Sequence, residues 1–294
     1  MCGIVGEYLF EKHNIDNNYE LLLDKIKSRG PDYSGHIIKD PIFMGHSRLS
    51  IIDLSAASNQ PFQEPESNLC MVYNGCIYNY LDIKKQLIKK GYLFKTSGDT
   101  EVVIKSYIEW GHGCLKKFEG DFALGIWDNK KQELFLARDR FGVKPLYYVN
   151  EKNFFRFGST LQSIVAKKDI DLEFDAKSLH MHFSLHSVVP APNTIFKNIK
   201  KVPPGHFLVI GKKNKIVVKE YWNINRVKNT NYIVDEKEAL DLTRESLIYS
   251  INQRLSASDI DVGVLLSGGL DSSLIVALAK ESFPNLKTYS IGFE

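Results

Sequence analysis

Hydrophobic and polar positions alternate over many short segments in the first 222 residues, and turn-forming residues separate the segments. The pattern predicts strands over residues 2–10, 43–54 and 69–73, and hairpins that turn at residues 129–131 and 212–215. Such a density of strands with few helices predicts stacked antiparallel sheets as far as about residue 222.

Three helices are predicted among these strands. Residues 19–26 and 81–90 carry apolar side chains at helical spacing. A third helix is expected to begin near residue 97 and to end before Gly111, with Asp99 or Thr100 as its N-terminal cap.

The pattern changes after residue 222. Residues 223–235 are polar and lack clear periodicity, which predicts a linker. The following residues predict an amphipathic helix, a buried strand at 262–266, a glycine-rich loop, a second helix and a strand at 288–291. The strand, loop, helix and strand together form the unit that starts a parallel α/β domain. The apolar side of the first helix is predicted to comprise Leu240, Leu247, Ile248, Ile251 and Leu255. Because an open parallel sheet needs more strands, we expect residues 236–294 to be the beginning of a longer domain.

Composition narrows the class of protein. A net charge of +3 in 294 residues gives no reason to expect binding to nucleic acid or to a membrane surface. The four cysteines show no Cys-x-x-Cys spacing and suit a reducing cytoplasm. No signal peptide is apparent. The spacing of three histidines, His180, His182 and His186, would direct their side chains to different sides of a helix, so no metal site is expected there.

Cys2 is the first candidate for chemistry. If Met1 is removed, this residue carries a thiol and a free α-amine on one carbon. The thiolate is the reactive form of cysteine, and an α-amine with a pKa of roughly 7.7–8.0 is a suitable base near neutral pH. One residue would then supply both nucleophile and base. The alternative is that Cys2 is an ordinary small buried residue.

The glycine-rich loop Ser267-Gly268-Gly269-Leu270-Asp271-Ser272-Ser273 is the second candidate. Backbone N–H groups between a strand and a helix N-terminus form an anion site, and glycine allows a phosphate to approach closely. The chain has no Walker lysine motif, so serine hydroxyls and N–H groups would hold the phosphate, and Asp271 could hold magnesium. The alternative is a plain glycine turn.

Several motifs occur together and in order, and jointly they resemble glutamine-hydrolysing asparagine synthetases. The motifs are Met1–Gly6, Arg29–Gly35, Arg48–Asp53, Asn74-Gly75, Gly98–Glu101, Leu136–Tyr148, Val202–His206, Tyr221-Trp222 and the Ser267–Ser273 loop. The resemblance implies an α+β N-terminal-nucleophile hydrolase sandwich, with two antiparallel sheets between helix layers, followed by the start of an α/β PP-loop ATPase domain. Residues 1–222 would form the glutaminase domain, residues 223–235 the linker and residues 236–294 the first part of the ATP-binding domain.

The resemblance also implies roles in the glutaminase domain. Cys2 would attack the side-chain amide of glutamine, and Asn74 and the N–H of Gly75 would form the oxyanion hole. Arg48 would hold the glutamine carboxylate and Asp99 its α-amine, and the remaining pocket residues would be Leu49, Ser50, Ile51, Ile52 and Cys76. Taken singly, Arg48 could instead form a surface ion pair, Asp99 could cap a helix, and Asn74-Gly75 could be a tight turn.

In the second domain, the resemblance implies contacts to ATP from Leu266, Ser267, Gly268, Gly269, Asp271, Ser272 and Ile291. Ammonia would amidate aspartate through an aspartyl-adenylate that ATP and magnesium form. Family members often pair as homodimers, although the sequence leaves the oligomeric state open. The chain departs from the family at Ser28, Cys76, Asp121 and residues 158–160. These departures leave two alternatives open, namely a different carboxylate acceptor and a non-catalytic domain that binds glutamine or a partner protein.

Overall fold

The computed structural model describes residues 1–10, 18–226 and 232–292. The chain divides into two compact units, Met1–Ile224 and Asn225–Glu294. Residues 227–231 of the predicted linker lie outside the described residues. Within the described ranges, no helix is both long enough and apolar enough to cross a membrane.

The first unit contains two six-stranded antiparallel sheets. One has the strand order β10-β8-β9-β1-β3-β2, and the other has the order β12-β11-β7-β6-β5-β4. The strands are β1 (Gly3–Leu9), β2 (Tyr33–Lys39), β3 (Ile42–Arg48), β4 (Phe62–Glu64), β5 (Leu69–Ile77), β6 (Gly120–Asp128), β7 (Glu133–Arg138), β8 (Tyr147–Asn150), β9 (Phe154–Gly158), β10 (Ile199–Lys201), β11 (His206–Gly211) and β12 (Lys215–Glu220). The helices are α1 (Glu20–Asp24), α2 (Tyr80–Lys89), α3 (Asp99–Trp110), α4 (Leu161–Val165) and α5 (Ala176–Ser184).

The sheets lie face to face between layers of helices, so the central strands are buried on both sides. Ile4 and Met44 from one sheet join Val72 and Leu136 from the other in the core between the sheets. Helices α2 and α3 cover the outer face of the second sheet, where Tyr73 and Phe122 contribute to a separate apolar cluster. This arrangement is the predicted N-terminal-nucleophile hydrolase sandwich. Its burial on both faces explains why β1 is apolar at consecutive positions.

Two predicted strand boundaries in this unit are wrong. The strand expected over residues 43–54 ends at Arg48, and residues 49–54 form a loop. Strand β5 continues four residues past Tyr73, so Asn74-Gly75 is not a turn but lies opposite Ala123 and Phe122 of β6. A Cβ atom on Gly75 would lie 2.3 Å from the carbonyl oxygen of Asp121. Glycine is therefore required here by the close approach of a neighbouring strand.

The predicted cap of helix α3 is also wrong. Gly98 occupies the N-cap position, Asp99 is the first helical residue, and no side chain caps this end of the helix. The side chain of Asp99 is directed instead into a buried cluster of hydrogen bonds, because strand β5 offers it a hydroxyl and an N–H group.

The second unit contains helix α6 (Glu236–Ser256), strand β13 (Gly263–Leu265), helix α7 (Leu270–Ser282) and strand β14 (Lys287–Tyr289). The two strands are parallel, as expected for a strand–loop–helix–strand unit. The strand predicted to be buried over residues 262–266 is not buried, because Leu265 is 76% exposed, and the apolar side chains of α6 are not buried either. Two three-residue strands form too small a surface among the described residues to cover a 21-residue helix.

Candidate active site

Cys2 lies directly before strand β1, at the edge of the layer between the two sheets. The backbone N–H of Leu49 donates to its Sγ at 3.4 Å, and Nε of Arg29 donates to its carbonyl oxygen at 3.0 Å. Burial raises the pKa of the Cys2 thiol above its usual value, although the contact with Leu49 opposes this. The thiol therefore needs a nearby base to become a nucleophile at neutral pH.

The α-amino group of the chain, which interacts electrostatically with the Cys2 thiol, is the candidate for this base. In the chain that carries Met1, burial lowers the pKa of this amine below 8.0. Met1 is 56% exposed and lines the same cavity as Cys2. Removal of Met1 would place the amine on Cys2 itself and would open the cavity further.

A cavity of about 100 Å³ brings most of the predicted glutaminase residues together. Its lining comprises Met1, Cys2, Arg48, Leu49, Ile51, Ile52, Gln60, Tyr73, Asn74, Gly75, Cys76, Asp99, Thr100 and Lys144. Ser50 does not line it, and its N–H donates to Oδ2 of Asp32 at 2.7 Å. The cavity thus collects a thiol, amide and backbone donors, a carboxylate and a guanidinium around one space.

Asn74 provides an unsatisfied donor in this cavity. Its side chain is 1% exposed, and its Nδ2 has no hydrogen-bond partner among the described residues. A buried donor without a partner costs about 1–3 kcal/mol, so native proteins seldom retain one without a reason. The donor is chemically suited to an oxygen that develops negative charge, as in an oxyanion hole.

Asp99 is the buried carboxylate of the cavity. Its Oδ2 accepts hydrogen bonds from the hydroxyl of Tyr73 at 2.7 Å and from the N–H of Ile77 at 3.0 Å. Burial raises the pKa of Asp99 to about 6, although these hydrogen bonds oppose the increase. The group is therefore largely ionised at neutral pH and can pair with a ligand cation.

Arg48 is 5% exposed, so the alternative of a surface ion pair is wrong. Its guanidinium donates to the carbonyl oxygens of Ile52 at 3.4 Å and Ser55 at 2.7 Å, to that of Asp53, and to Oδ1 of Asn59 at 2.7 Å. The side chain thus both lines the cavity and holds the loop that follows β3. The longest of these contacts, to Ile52, is the one that a ligand carboxylate would displace at least cost.

Asp53 connects this loop to the start of helix α3. It accepts from the hydroxyls of Ser55 at 2.6 Å and Ser58 at 2.7 Å, and from the N–H of Ser97 at 3.0 Å. Burial acts to raise the pKa of Asp53, but these hydrogen bonds outweigh it and hold the pKa well below the usual range. The carboxylate therefore stays ionised and fixes the loop beside Asp99.

Sequence reasoning assigned no role to several residues around the cavity. Arg29 and Asp32 belong to a motif that was noted, and they contact Cys2 and Ser50. Gln60, Tyr73 and Lys144 also line the cavity. The motif that contains Arg29 and Asp32 could have indicated a role for them. No sequence motif indicated a role for Gln60 or Tyr73, because their contacts join distant parts of the chain.

The second unit places the glycine-rich loop between β13 and α7. Ser267 and Ser272 approach each other with their Oγ atoms 3.0 Å apart, and Gly268 has a φ of +81° with open space around the position of a Cβ. The N–H of Leu266 donates to the carbonyl oxygen of Tyr289 at 2.8 Å, which brings Leu266 close to the segment that contains Ile291. This open loop at a helix N-terminus has the donors that a phosphate requires.

Metal ligands are sparse in the part of the chain that the structure describes. It contains no group of three or more His, Cys, Asp or Glu side chains able to hold a metal ion. Asp271 lies in the first turn of α7 and would be a single carboxylate ligand. Magnesium commonly binds through one or two carboxylates and substrate phosphates, so Asp271 fits magnesium only together with a bound nucleotide.

The comparisons with known proteins agree with this geometry. Residues 1–222 match the glutamine amidotransferase domain family, and residues 242–294 match the asparagine synthase family. Asparagine synthetase [glutamine-hydrolyzing] 3 of Bacillus subtilis is 36% identical over 100% of this chain and 48% of its own length. Putative asparagine synthetase [glutamine-hydrolyzing] 2 of Methanocaldococcus jannaschii is 36% identical over 100% of this chain and 60% of its own length.

The chain spans 48% to 60% of the length of these two relatives. A solved structure of glutamine phosphoribosylpyrophosphate amidotransferase from B. subtilis, in complex with ADP and GMP, shares the fold with a TM-score of 0.54. It is 18% identical and covers 98% of this chain and 65% of its own. Because the family match covers three quarters of the sequence and includes every residue around the cavity, the chain belongs to the glutamine amidotransferase domain family.

Proposed function

We propose that this protein hydrolyses glutamine to glutamate and ammonia, with Cys2 as the nucleophile. The observation that carries the proposal concerns Asn74, which lines the same cavity as Cys2 and whose buried Nδ2 has no hydrogen-bond partner among the described residues. A nucleophile next to an unsatisfied donor is the minimum arrangement for acyl transfer through an oxyanion.

The first half of the reaction forms a thioester. The α-amine of processed Cys2 accepts the thiol proton, and Sγ attacks the carbonyl carbon of the glutamine side chain. The carbonyl electron pair moves to oxygen, and Nδ2 of Asn74 and the N–H of Gly75 stabilise the resulting oxyanion. When the oxyanion collapses, the C–N bond breaks, and the α-ammonium of Cys2 protonates the leaving nitrogen to release ammonia.

The second half of the reaction returns the enzyme to its starting state. A water molecule attacks the thioester carbon while the α-amine of Cys2 accepts its proton. The same two donors stabilise the second oxyanion. The C–S bond then breaks, the α-ammonium returns a proton to the sulfur, and glutamate leaves.

The charged ends of glutamine would be held by opposite sides of the cavity. Asp99 would pair with the α-ammonium, and Arg48 would take the carboxylate in place of its 3.4 Å contact with Ile52. The loop residues Leu49, Ile51 and Ile52 would enclose the aliphatic part of the substrate. Asp53 would fix the distance between the two charged ends by holding the loop to the residues before Asp99.

We further propose that the ammonia serves ATP-dependent amidation of aspartate to asparagine in the whole protein. Support comes from the asparagine synthase match at residues 242–294 and from the names of the two relatives. The Ser267–Ser273 loop would hold the ATP phosphates, Leu266 and Ile291 would contact the nucleotide, and Asp271 would ligate magnesium. ATP supplies the activation of the carboxylate.

The free thiols of all four cysteines support a reducing location such as the cytoplasm.

The direct test of the proposal is a product assay with glutamine and no ATP. Glutamate and ammonia should appear in equal amounts, because one amide is cleaved per thioester hydrolysed. Binding of glutamine without release of either product would support the non-catalytic alternative instead.

Removal of Met1 should be essential for this activity. A protein that carries a protease-cleavable leader directly before Cys2 has an amide nitrogen there, which cannot act as a base. We expect glutamine hydrolysis to be at least about 100-fold slower before cleavage than after it, in line with the usual contribution of a general base. Mass spectrometry of the N-terminus before and after cleavage is the control. Equal activity of the two forms would exclude the α-amine as the base.

Glutamine binding should weaken in mild acid. Asp99 has a pKa raised to about 6 by burial, and its protonated form lacks the charge that pairs with the substrate ammonium. Below that pH we expect affinity to fall by about tenfold for each pH unit. Calorimetric titrations of Cys2→Ala protein, which cannot turn glutamine over, measure this from pH 5 to 8. The Cys2→Ala, Asp99→Asn protein should bind weakly and without this loss of affinity in acid (the acid limb), and a flat profile of the Cys2→Ala protein would contradict the role of Asp99.

A further inference from the structure

The phenol of Tyr73 is the only side chain that donates a hydrogen bond to Asp99 among the contacts of the described residues. Its hydroxyl lies 2.7 Å from Oδ2 of Asp99, on the outer face of the second sheet where helix α3 begins. The second donor to the same oxygen is the backbone N–H of Ile77 at 3.0 Å. Both donors engage Oδ2, and the backbone N–H groups of Asp99 and Thr100 at the start of α3 also favour the ionised carboxylate.

The backbone of Tyr73 is held from two further elements. Its N–H donates to Oε1 of Gln60 at 2.6 Å, and its carbonyl oxygen lies 3.2 Å from Nε2 of His46. His46 belongs to β3, the strand that pairs with the Cys2 end of β1, so this contact crosses the layer between the sheets. The carbonyl of Tyr73 also forms the peptide bond to Asn74. A chain of contacts through Tyr73 therefore runs from the sheet of the nucleophile, past the oxyanion donor, to the carboxylate, because the backbone carbonyl of Tyr73 contacts His46 and its hydroxyl contacts Asp99.

Two members of this chain of contacts, His46 and Tyr73, keep a fixed protonation state near neutral pH. Burial lowers the pKa of His46 to about 4, so its ring is neutral, and its Nε2 must carry the proton to donate to a carbonyl oxygen. Burial, followed by the nearby Asp99, raises the pKa of Tyr73 well above 10, so its hydroxyl stays a donor. Asp99 is then the member of the chain that titrates near pH 6.

We infer that Tyr73 is a positioning residue for glutamine recognition: its hydroxyl orients Asp99 and stabilises the ionised carboxylate that receives the substrate ammonium. The inference rests on the proposed function for the identity of the ligand. A hydrogen bond to the charged form of a carboxylic acid lowers its pKa, so the hydroxyl extends the pH range in which the cavity accepts an α-ammonium. Other ionisable groups that line the cavity with Asp99 are Cys2 on the β1 side, Cys76 on β5, Arg48 at the end of β3 and Lys144. The carboxylate of Asp53 also lies close, because it accepts from the N–H groups of Ser97 and Gly98.

The test compares glutamine binding to Cys2→Ala protein and to Cys2→Ala, Tyr73→Phe protein by calorimetry at pH 5 to 8. Phenylalanine keeps the ring and removes the hydroxyl. We expect the acid limb to move up by about one pH unit, so that binding is roughly fivefold to tenfold weaker at pH 6 and within about twofold of the parent at pH 8. A purely structural effect would weaken binding by one factor at every pH, and either that result or an unmoved limb would overturn the inference.

Tyr107→Phe in the same Cys2→Ala background is the matched control. Tyr107 is a buried tyrosine of the same helix as Asp99, but its ring contacts Phe135 and it does not line the cavity. This variant should leave the acid limb in place. Because the alanine background cannot form a thioester, the binding measurement is independent of turnover. The protein that keeps Cys2 could release no ammonia while Tyr73→Phe still shifts the pH dependence of glutamine binding. That result would exclude glutamine hydrolysis as the function and would leave the positioning role of Tyr73 intact.

Discussion

Cys2→Ala is expected to abolish the release of ammonia from glutamine, with a loss of about 10⁴-fold or more. In nucleophilic catalysis, removal of the nucleophile alone costs about as much as removal of the whole catalytic set. No other thiol can take the place of Cys2 directly before β1, where the N–H of Leu49 donates a hydrogen bond to its Sγ. The measurement is ammonia production at saturating glutamine.

Two comparisons make this prediction specific. Glutamine should still bind to the alanine variant, because Arg48 and Asp99 are untouched. Cys76→Ala is the second comparison, since it removes the other thiol that lines the cavity. It should keep ammonia production, because the backbone of residue 76 remains. If ammonia release persists in Cys2→Ala and disappears in Cys76→Ala, then the nucleophile has been assigned to the wrong thiol.

The layered architecture could be predicted from the sequence because its strands are short, alternating and bounded by turn residues. The hairpin between β6 and β7 and that between β11 and β12 were predicted from local signals, and both form. Helix α2 was predicted from periodicity, and helix α3 was predicted from its cap residues and from Gly111, which follows it. In each case the signal lies within about twenty residues and needs no knowledge of distant contacts.

Local signals failed where long-range pairing decided the structure. Asn74-Gly75 is a common turn sequence, yet the ladder with β6 extends β5 through both residues to Ile77. Asp99 has the side chain and position of a helix cap, yet Tyr73 and Ile77 engage its carboxylate. The sequence alone could not reveal either outcome, because the partners are separated from these residues by 22 to 49 positions.

The resemblance directed attention to the residues around the cavity, but it gave no account of what holds them. Arg48 was expected only as a carboxylate ligand, whereas its guanidinium also fixes four acceptors of the following loop. Tyr73 and Gln60 had no assigned role. These supporting contacts depend on the distance between the two sheets, which is a property of the packed core and not of any motif.

Asn74→Ala is expected to lower kcat for glutamine hydrolysis by about 10²–10³, the usual effect of removing one oxyanion-hole donor. The Nδ2 of Asn74 has no partner among the described residues, so its hydrogen bond is available to an oxyanion. Because a donor aimed at the oxyanion acts mainly in the transition state, kcat and kcat/KM should fall together while KM changes little. Steady-state kinetics at pH 7.5 would separate these constants.

Asn74→Asp gives the sharper comparison, because it keeps the shape of the side chain and removes the N–H donor. We expect a loss at least as large as that of the alanine variant, since a carboxylate also repels the developing negative charge. A rise in KM with unchanged kcat in both variants would place Asn74 in substrate binding and remove it from the oxyanion hole. A role confined to folding would lower thermal stability and leave the activity of the folded fraction intact. The unpaired buried donor argues against that role, because it costs folding free energy that only a ligand or a transition state recovers.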